Sequence, residues 1–209
     1  MNFSIASLLS TFGYFVIIGF LFAETGLLVG FFLPGDTLLL FAGYYAATGT
    51  LSLPLVLIFA FIAAVLGDIT SYQIGARGGR KLFKREDSVF FNLGHLRRAE
   101  EFFKKHGPIT VMIARPVAFL RTFAPLVAGM GKMEFKKFVT YNLIGNVLWV
   151  LTFTFLGFGL GSFLKDRVQI ETVNHYVDIV TVLILAGSIG SVIILAIRQR
   201  YFKKKVQKV

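Results

Sequence analysis

Five ionisable residues lie within otherwise apolar stretches of the sequence, and their side chains are suited to binding anions and protons. They are Glu24, Asp36, Asp68, Arg115 and Arg121. Each costs roughly 2.5–3.5 kcal/mol at the centre of a membrane helix, so such residues usually face a polar cavity or one another. A guanidinium group binds phosphate through two donors at once. We therefore expect a cavity in which both arginines bind an anionic headgroup, while Glu24 and Asp36 compete for the arginines and take up protons.

Simpler roles stay open for each of these residues. Asp36 follows the helix-breaking pair Pro34 and Gly35, and an Asp in such a position caps the next helix. That capping role is compatible with a place in the cavity. Glu24 could sit at the membrane interface, and Asp68 could bond a neighbouring helix. Both arginines could snorkel to lipid headgroups from a shallow loop.

An enzyme would need more than these charges. A lipid phosphatase also places arginines beside phosphate, and the segment "ARP" at 114–116 is faintly similar to such sites. However, the chain has no Cys, and its three His residues share no metal-binding spacing. No nucleophile with an oriented base can be identified. We therefore expect no catalysis, no metal and no cofactor, and we assign Trp149 to lipid contact or packing.

The composition indicates an integral membrane protein built from helices. The 209 residues are 56% hydrophobic and only 16% charged, with a mean hydropathy of +0.73. Four long runs, at 1–23, 37–67, 138–164 and 179–197, contain no charged residue. Runs of this length and character are typical of transmembrane helices. The net charge of +11 is carried by residues that flank these runs, which favours anionic lipids over nucleic acid as partners.

The distribution of Lys and Arg predicts the topology. Residues 77–106 carry nine basic residues against four acids, and the tail 198–209 carries six basic residues and no acid. Both segments are expected to be cytoplasmic, with a helix inside 77–106 lying on the membrane surface. Spans at 138–164 and 179–197 precede the tail, so residues 165–178 are expected outside and residues 132–137 inside. Residues 107–131 then connect two cytoplasmic segments and are too short for two crossings, which predicts a re-entrant hairpin.

The first half of the chain predicts a second hairpin that faces the first. A span at about 54–76 leads to the basic segment, so residues 48–53 lie outside. If the N-terminal run crosses once from the cytoplasm, residues 24–47 must enter and leave from outside. We therefore predict an all-α polytopic membrane protein, an inverted repeat with two opposed re-entrant helical hairpins plus about four transmembrane helices and a cytoplasmic amphipathic helix.

Three segments resemble the bacterial DedA family of membrane proteins, which carry the VTT (SNARE-associated) domain. They are "FAETGLLVGFFLPGDTLLLFAG" at 22–43, "GDITSYQIGARGG" at 67–79 and "ARPVAFLRTFAPLVAGMGKMEFKKFVTYNLIGNVLWV" at 114–150. The combination of E…LPGD with R-x5-R-T-x-x-P-x-x-A-G is specific. The resemblance covers most of the chain from about residue 20 to residue 165.

The resemblance implies the same inverted repeat and assigns roles to individual residues. The acids that are important in the family match Glu24 and Asp36, and its arginines match Arg115 and Arg121. The supporting polar and backbone residues are Asp68, Pro34, Gly35, Thr122, Pro125 and Asn146. The sequence departs from the family where Pro116 directly follows the first arginine and Ala118 replaces the usual proline, so the hairpin tip is expected to bend one turn earlier.

The resemblance also implies a function. Family members are associated with moving lipids between leaflets, so we expect a proton-coupled flippase for undecaprenyl phosphate or a phospholipid. It would lie in the bacterial inner membrane with both termini cytoplasmic, with membrane lipids and protons as partners and a homo-oligomer as an open alternative. Two other classes stay open. One is a proton-dependent ion or drug antiporter, and the other is an envelope protein that organises partners without transport.

Overall fold

The computed structural model describes residues 5–27, 34–78, 101, 107–115 and 118–165. Several predicted elements lie wholly or largely outside these residues. They are the surface helix within 77–106, the span 179–197 and the basic tail 198–209.

The described residues form helices, and no strand occurs among them, which confirms the all-α class for this part of the chain. The α-helices are α1 (Ile5–Gly26), α2 (Gly35–Ala47), α3 (Leu53–Gly78), α4 (Thr110–Ile113), α5 (Ala118–Met130) and α6 (Phe135–Lys165), and a 3₁₀ turn at Gly107–Ile109 leads into α4. Two of them, α3 and α6, are long and apolar enough to cross a membrane. They lie where the sequence predicts spans.

Besides the single turn α4, helices α2 and α5 are too short to cross a bilayer. Both α2 and α5 contain 13 residues, a length of about 20 Å against a hydrocarbon core of about 30 Å. Each is followed by a tight turn, at residues 48–52 or 131–134, and then by a long helix. Pro34 precedes the first turn of α2, and Pro125 lies inside α5. The short helices therefore start in the interior of the protein and end near its surface.

The direction of α1 corrects one part of the predicted topology. The Tyr14 hydroxyl accepts a hydrogen bond from the Ser52 amide at 2.8 Å, whereas Thr25 donates to the Ala64 carbonyl oxygen at 3.2 Å. Helices α1 and α3 therefore run in the same direction, and Tyr14 lies level with the turn before α3. The prediction that the N-terminal run crosses in the direction opposite to α3 is therefore wrong. The cytoplasmic N-terminus that rested on this crossing loses its support.

Reciprocal glycines hold α2 against α6. A Cβ atom on Gly43 would collide with the Thr154 carbonyl oxygen, and one on Gly157 would collide with the Leu40 carbonyl oxygen. Each glycine thus packs against the residue three positions before the other glycine. This contact needs glycine because the two backbones touch directly.

The same register recurs between α5 and α3. A Cβ atom on Gly129 would collide with the Tyr72 carbonyl oxygen, and one on Gly75 would collide with the Leu126 carbonyl oxygen. Tyr72 again lies three residues before Gly75, and Leu126 three before Gly129. In both pairs the short helix runs parallel to the long one. Helix α2 is parallel to α6, and helix α5 is parallel to α3.

The two short helices therefore point in opposite directions. Helix α2 ends beside the start of α3, at the level of Tyr14. Helix α5 ends beside the last turns of α3, where the Tyr72 hydroxyl donates to the Met133 carbonyl oxygen. The turns that follow α2 and α5 thus lie at opposite ends of α3, and the N-termini of the two short helices meet in between.

Candidate functional site

The five charged residues singled out by the sequence lie together where the short helices begin. Glu24 stands in the last turn of α1 and Asp36 in the first turn of α2, while Asp68 lies in the middle of α3. Arg115 precedes the break before α5, and Arg121 lies in the first turn of α5. All three acids come from the first half of the chain and both arginines from the second.

Arg121 bridges two carboxylates. Its Nη2 donates to Glu24 Oε1, and its Nη1 donates to Asp36 Oδ1 at 2.5 Å. Arg121 and Glu24 are buried, with 8% and 2% of their side chains exposed, but 36% of the Asp36 side chain is exposed. The Arg121 centre, defined as these three residues, therefore has one buried acid and one accessible acid.

The backbone of α2 is shaped around this centre. Gly35 packs against the Glu24 carboxylate so closely that a Cβ atom would overlap Glu24 Oε2. The residue that caps α2 is Pro34, without a side-chain hydrogen bond. Asp36 therefore does not serve as the N-cap, which was the simpler alternative, and its carboxylate faces Arg121.

Arg115 forms a separate, fully enclosed centre. Its Nη2 donates to Asp68 Oδ2 and to Asn142 Oδ1 at 3.2 Å. Asn146 Nδ2 donates to Asp68 Oδ2 and to Asn142 Oδ1, both at 3.0 Å. All four residues are buried. The Arg115 centre, defined as these four residues, links α3 and α6 with the loop before α5.

The expected role of Asp68 as a bond to a neighbouring helix is thus observed, together with an ion pair. The expected pairing of Arg115 with Glu24 or Asp36 is not observed, because those acids accept hydrogen bonds from Arg121 and Trp149. Among the other supporting residues, Thr122 is buried beside Arg121 in α5.

Trp149 joins the two centres. Its Nε1 donates to Asp36 Oδ1 at 2.6 Å. The Cζ atoms of Arg115 and Arg121 lie 5.5 Å and 5.3 Å from the centre of its ring, within the range of a cation–π contact. Trp149 is buried in the core, so of the two expected roles packing is observed and lipid contact is not. Its polar role was missed.

A signal for Trp149 was present in the sequence. Asn142, Asn146 and Trp149 are spaced at i, i+4 and i+7, which places them on one face of α6. Three hydrogen-bonding side chains on one face of an apolar helix indicate a polar interior surface. The same spacing indicated Asn142, which was not singled out either.

The site holds three carboxylates and two guanidinium groups, which leaves one negative charge when all are ionised. Among the described residues, three buried atoms of these groups have no hydrogen-bond partner, namely Glu24 Oε2, Arg115 Nε and Arg121 Nε. Both guanidinium groups therefore keep a donor that a further oxygen could use. No group of residues suited to holding a metal ion was found in the described part of the chain.

Comparisons with known proteins match the chain to one protein family and to several membrane proteins. The family model of the VTT domain matches residues 33–159. The chain is 42% identical to "Protein DedA" of Escherichia coli K12 over 190 residues, which cover 88% of this chain and 86% of that protein. It is 35% identical to "Inner membrane protein YqjA" of the same strain over 185 residues, 87% of this chain and 83% of the relative.

The chain is also similar to a mycobacterial membrane protein. The chain is 40% identical to "Uncharacterized membrane protein Rv0364" of Mycobacterium tuberculosis H37Rv over 143 residues, which cover 68% of this chain and 63% of that protein. No solved structure matches the chain.

Proposed function

Because the chain belongs to the DedA family of VTT-domain membrane proteins, we propose that it moves an anionic lipid between the leaflets of the bacterial inner membrane. The lipid is undecaprenyl phosphate or a phospholipid. One observation carries the proposal: two buried guanidinium groups lie where two short helices begin, and each is held by carboxylates from the other half of the chain. Guanidinium groups bind phosphate as well as carboxylate, so a phosphate ligand can replace a carboxylate at these arginines.

The helix arrangement supports access from both sides. In the proposed membrane orientation, α1 with α2 forms one re-entrant hairpin, and residues 107–130 form the other from the opposite face. Each hairpin reaches the centre through a short helix whose N-terminus carries partial positive charge. Movement of one hairpin against the other would expose the arginines first to one side and then to the other.

The chemistry suits a lipid because only the headgroup needs shelter from the hydrocarbon. The acyl or prenyl tail remains in the bilayer, where α3 and α6 expose large apolar side chains such as Ile58, Leu66 and Phe155. The phosphate would exchange with carboxylates at the arginines. Protonation of a displaced carboxylate removes its charge, which couples lipid movement to the proton gradient.

Reconstitution into liposomes tests the proposal. Undecaprenyl phosphate and phosphatidylglycerol are each supplied with a label that reports the leaflet, and their movement is followed under imposed pH gradients of either sign. We expect movement above the protein-free rate that depends on the gradient. Folded protein that moves neither lipid would exclude a flippase.

A proton-dependent antiporter is the competing class, and lysine substitutions separate it from the flippase. Arg121 uses two different nitrogens for its two acids, a fork that a single ammonium group cannot reproduce. In a flippase, Arg121→Lys and Arg115→Lys should abolish lipid movement. An antiporter that needs only positive charge at these positions should keep cation flux in both variants.

An organising protein without transport makes a different prediction. Neutralising Glu24 or Asp36 should then leave envelope function intact whenever the variant folds. A transporter should instead lose gradient-dependent movement in Glu24→Gln and Asp36→Asn. Growth of a deletion strain that carries each variant, with membrane abundance measured in parallel, distinguishes these two outcomes.

A further inference from the structure

Asp36 Oδ1 lies where two hydrogen-bond donors from different helices converge. Arg121 Nη1 of α5 approaches it at 2.5 Å, and Trp149 Nε1 of α6 approaches it at 2.6 Å. A single oxygen atom that accepts a guanidinium and an indole N–H occupies the position that an oxygen of a bound phosphate would take. The pair of donors thus forms an anion site, and the protein's own carboxylate fills it.

The two acids of the Arg121 centre differ in their freedom to leave. Glu24 is enclosed, with 2% of its side chain exposed, and its carboxylate lies against the backbone of Gly35. Asp36 is the accessible partner, with 36% of its side chain exposed. Asp36 can therefore rotate away from Arg121, whereas Glu24 has no comparable route.

Charge balance favours exchange over addition. The three acids and two arginines already leave one negative charge at the site. A phosphate added to this set would place a second unbalanced charge in a medium of low polarity, at high cost. Replacement of the Asp36 carboxylate by a singly charged phosphate keeps the local balance unchanged.

Departure of Asp36 leaves donors that require a new acceptor. The indole N–H of Trp149 is buried and would cost free energy without a partner. Arg121 Nη1 would also be released, and Arg121 Nε already lacks an acceptor among the described residues. A phosphate, which has more oxygens than a carboxylate, can satisfy the indole and the guanidinium together.

We infer that Trp149 is a ligand-binding residue and that the lipid phosphate replaces the Asp36 carboxylate between Trp149 Nε1 and Arg121 Nη1. The inference rests on the proposed function and adds two assignments to it. Trp149 supplies a direct hydrogen bond to the ligand, and Asp36 acts as the internal occupant that the ligand displaces. Glu24 stays on Arg121 Nη2 throughout.

Binding is measured with purified full-length protein in detergent, by calorimetry and by native mass spectrometry. The probes are undecaprenyl phosphate, phosphatidylglycerol and inorganic phosphate, with dioleoylglycerol as a lipid that lacks phosphate. Trp149 is the only tryptophan in the chain, so its emission in the wild type also reports displacement of Asp36. We expect the two phosphate lipids to shift the emission and dioleoylglycerol to leave it unchanged.

Variants of Trp149 separate the effect of its N–H donor on binding from the effect of its aromatic ring. Trp149→Phe keeps an aromatic ring beside the guanidinium groups, and replacement of Trp149 by benzothienylalanine keeps the bicyclic shape without the N–H. Both should bind the phosphate lipids about tenfold more weakly, which corresponds to one hydrogen bond to a charged group. Thr152→Val, which removes an exposed hydroxyl group from the same helix, is the matched control and should bind as the wild type does.

Removal of the internal occupant should have the opposite effect. Asp36→Asn and Asp36→Ala should bind the phosphate lipids about tenfold more tightly, because the competing charge is gone. Glu134→Gln, which removes an exposed carboxylate, should leave affinity unchanged. Wild-type affinity in both Trp149 variants, or weaker binding in both Asp36 variants, would overturn the inference.

The probes also keep this inference apart from the proposed function. If the wild type binds none of the phosphate lipids, the flippase proposal fails first. If the wild type binds them and both sets of variants match it, the inference alone fails. Inorganic phosphate that binds as tightly as the lipids would overturn the lipid as the occupant of the site.

Discussion

Both arginine centres contain an ion pair between a guanidinium group and a carboxylate, but the surroundings of the two centres differ. Arg115 faces one acid, and the buried amide of Asn142 also contacts it. Asn146 donates to both of these partners, and all four residues are buried. Arg121 faces two acids and the indole of Trp149, and one of those acids is accessible. The Arg115 centre is thus built to stay closed, and the Arg121 centre is built to exchange a partner. The ligand exchange that we propose at Asp36 therefore concerns the Arg121 centre.

The strongest way to break this comparison is to remove the Arg121 guanidinium. Arg121→Gln leaves Glu24 buried without its partner, so we expect the free energy of unfolding to fall by about 3–5 kcal/mol, together with complete loss of lipid movement. Thermal unfolding in detergent and the liposome assay measure the two effects. Lys136→Gln, an exposed charge on α6, is the control. Unfolding at the wild-type temperature would contradict the burial of this ion pair.

A double-mutant cycle sharpens the comparison by measuring each pair. We expect Asp68→Asn combined with Arg115→Lys to give a coupling energy near the top of the usual range of about 0.5–3 kcal/mol, because both partners are enclosed. Asp36→Asn combined with Arg121→Lys should give a value near the bottom, since water competes at the exposed acid. Chemical unfolding of the four variants and the two double variants provides the values. Equal couplings would remove the distinction between the centres.

The glycine contacts test whether both centres rest on equivalent scaffolds. Gly157→Ala and Gly129→Ala should each destabilise by about 1–3 kcal/mol, because the new methyl group meets a backbone oxygen. Gly159→Ala lies on the same helix as Gly157 and meets nothing within 4 Å, so it should be neutral or slightly stabilising. Thermal midpoints in detergent decide the matter. A similar loss at Gly159 would contradict backbone contact as the cause of the effect.

The smallest effect is expected at the membrane surface. Glu134 and Lys137 form an exposed pair at 3.1 Å, and such pairs contribute only about 0–1 kcal/mol. Glu134→Gln should therefore shift the thermal midpoint by less than any change at the two centres. A large shift would mean that the start of α6 carries a structural role that its exposure does not suggest.

Much of the fold follows from hydropathy and chain breaks. The uncharged runs that contain Val56 and Phe155 predict α3 and α6, because a helix of apolar residues satisfies its own backbone in lipid. Pro34 and Gly35 predict the interruption before α2. Charge counting failed at α1, since that stretch carries no Lys or Arg, and without them the number of crossings does not determine its direction.

The charged groups of the site were all predicted from the sequence, but of the neutral groups Asn142, Asn146 and Trp149 only Asn146 was. Glu24 and Arg121 stand out because an ion in an apolar run is costly and therefore informative. Trp149 and Asn142 carry no charge, and an indole or amide in such a run is equally compatible with lipid contact or helix packing. Which acid pairs with which arginine depends on the helix register, and no local pattern encodes it.

The shared glycine register has a consequence for the charges between the two halves. It relates Gly43 to Gly129, and therefore Asp36 to Thr122 and Gly35 to Arg121. If two identical halves were related by a two-fold axis at this site, each ion would lie close to its own symmetry-related copy. The two like charges would then repel each other. Acids confined to one half and arginines to the other avoid this conflict. The two halves therefore share the glycine register but differ in the charges that they place between them.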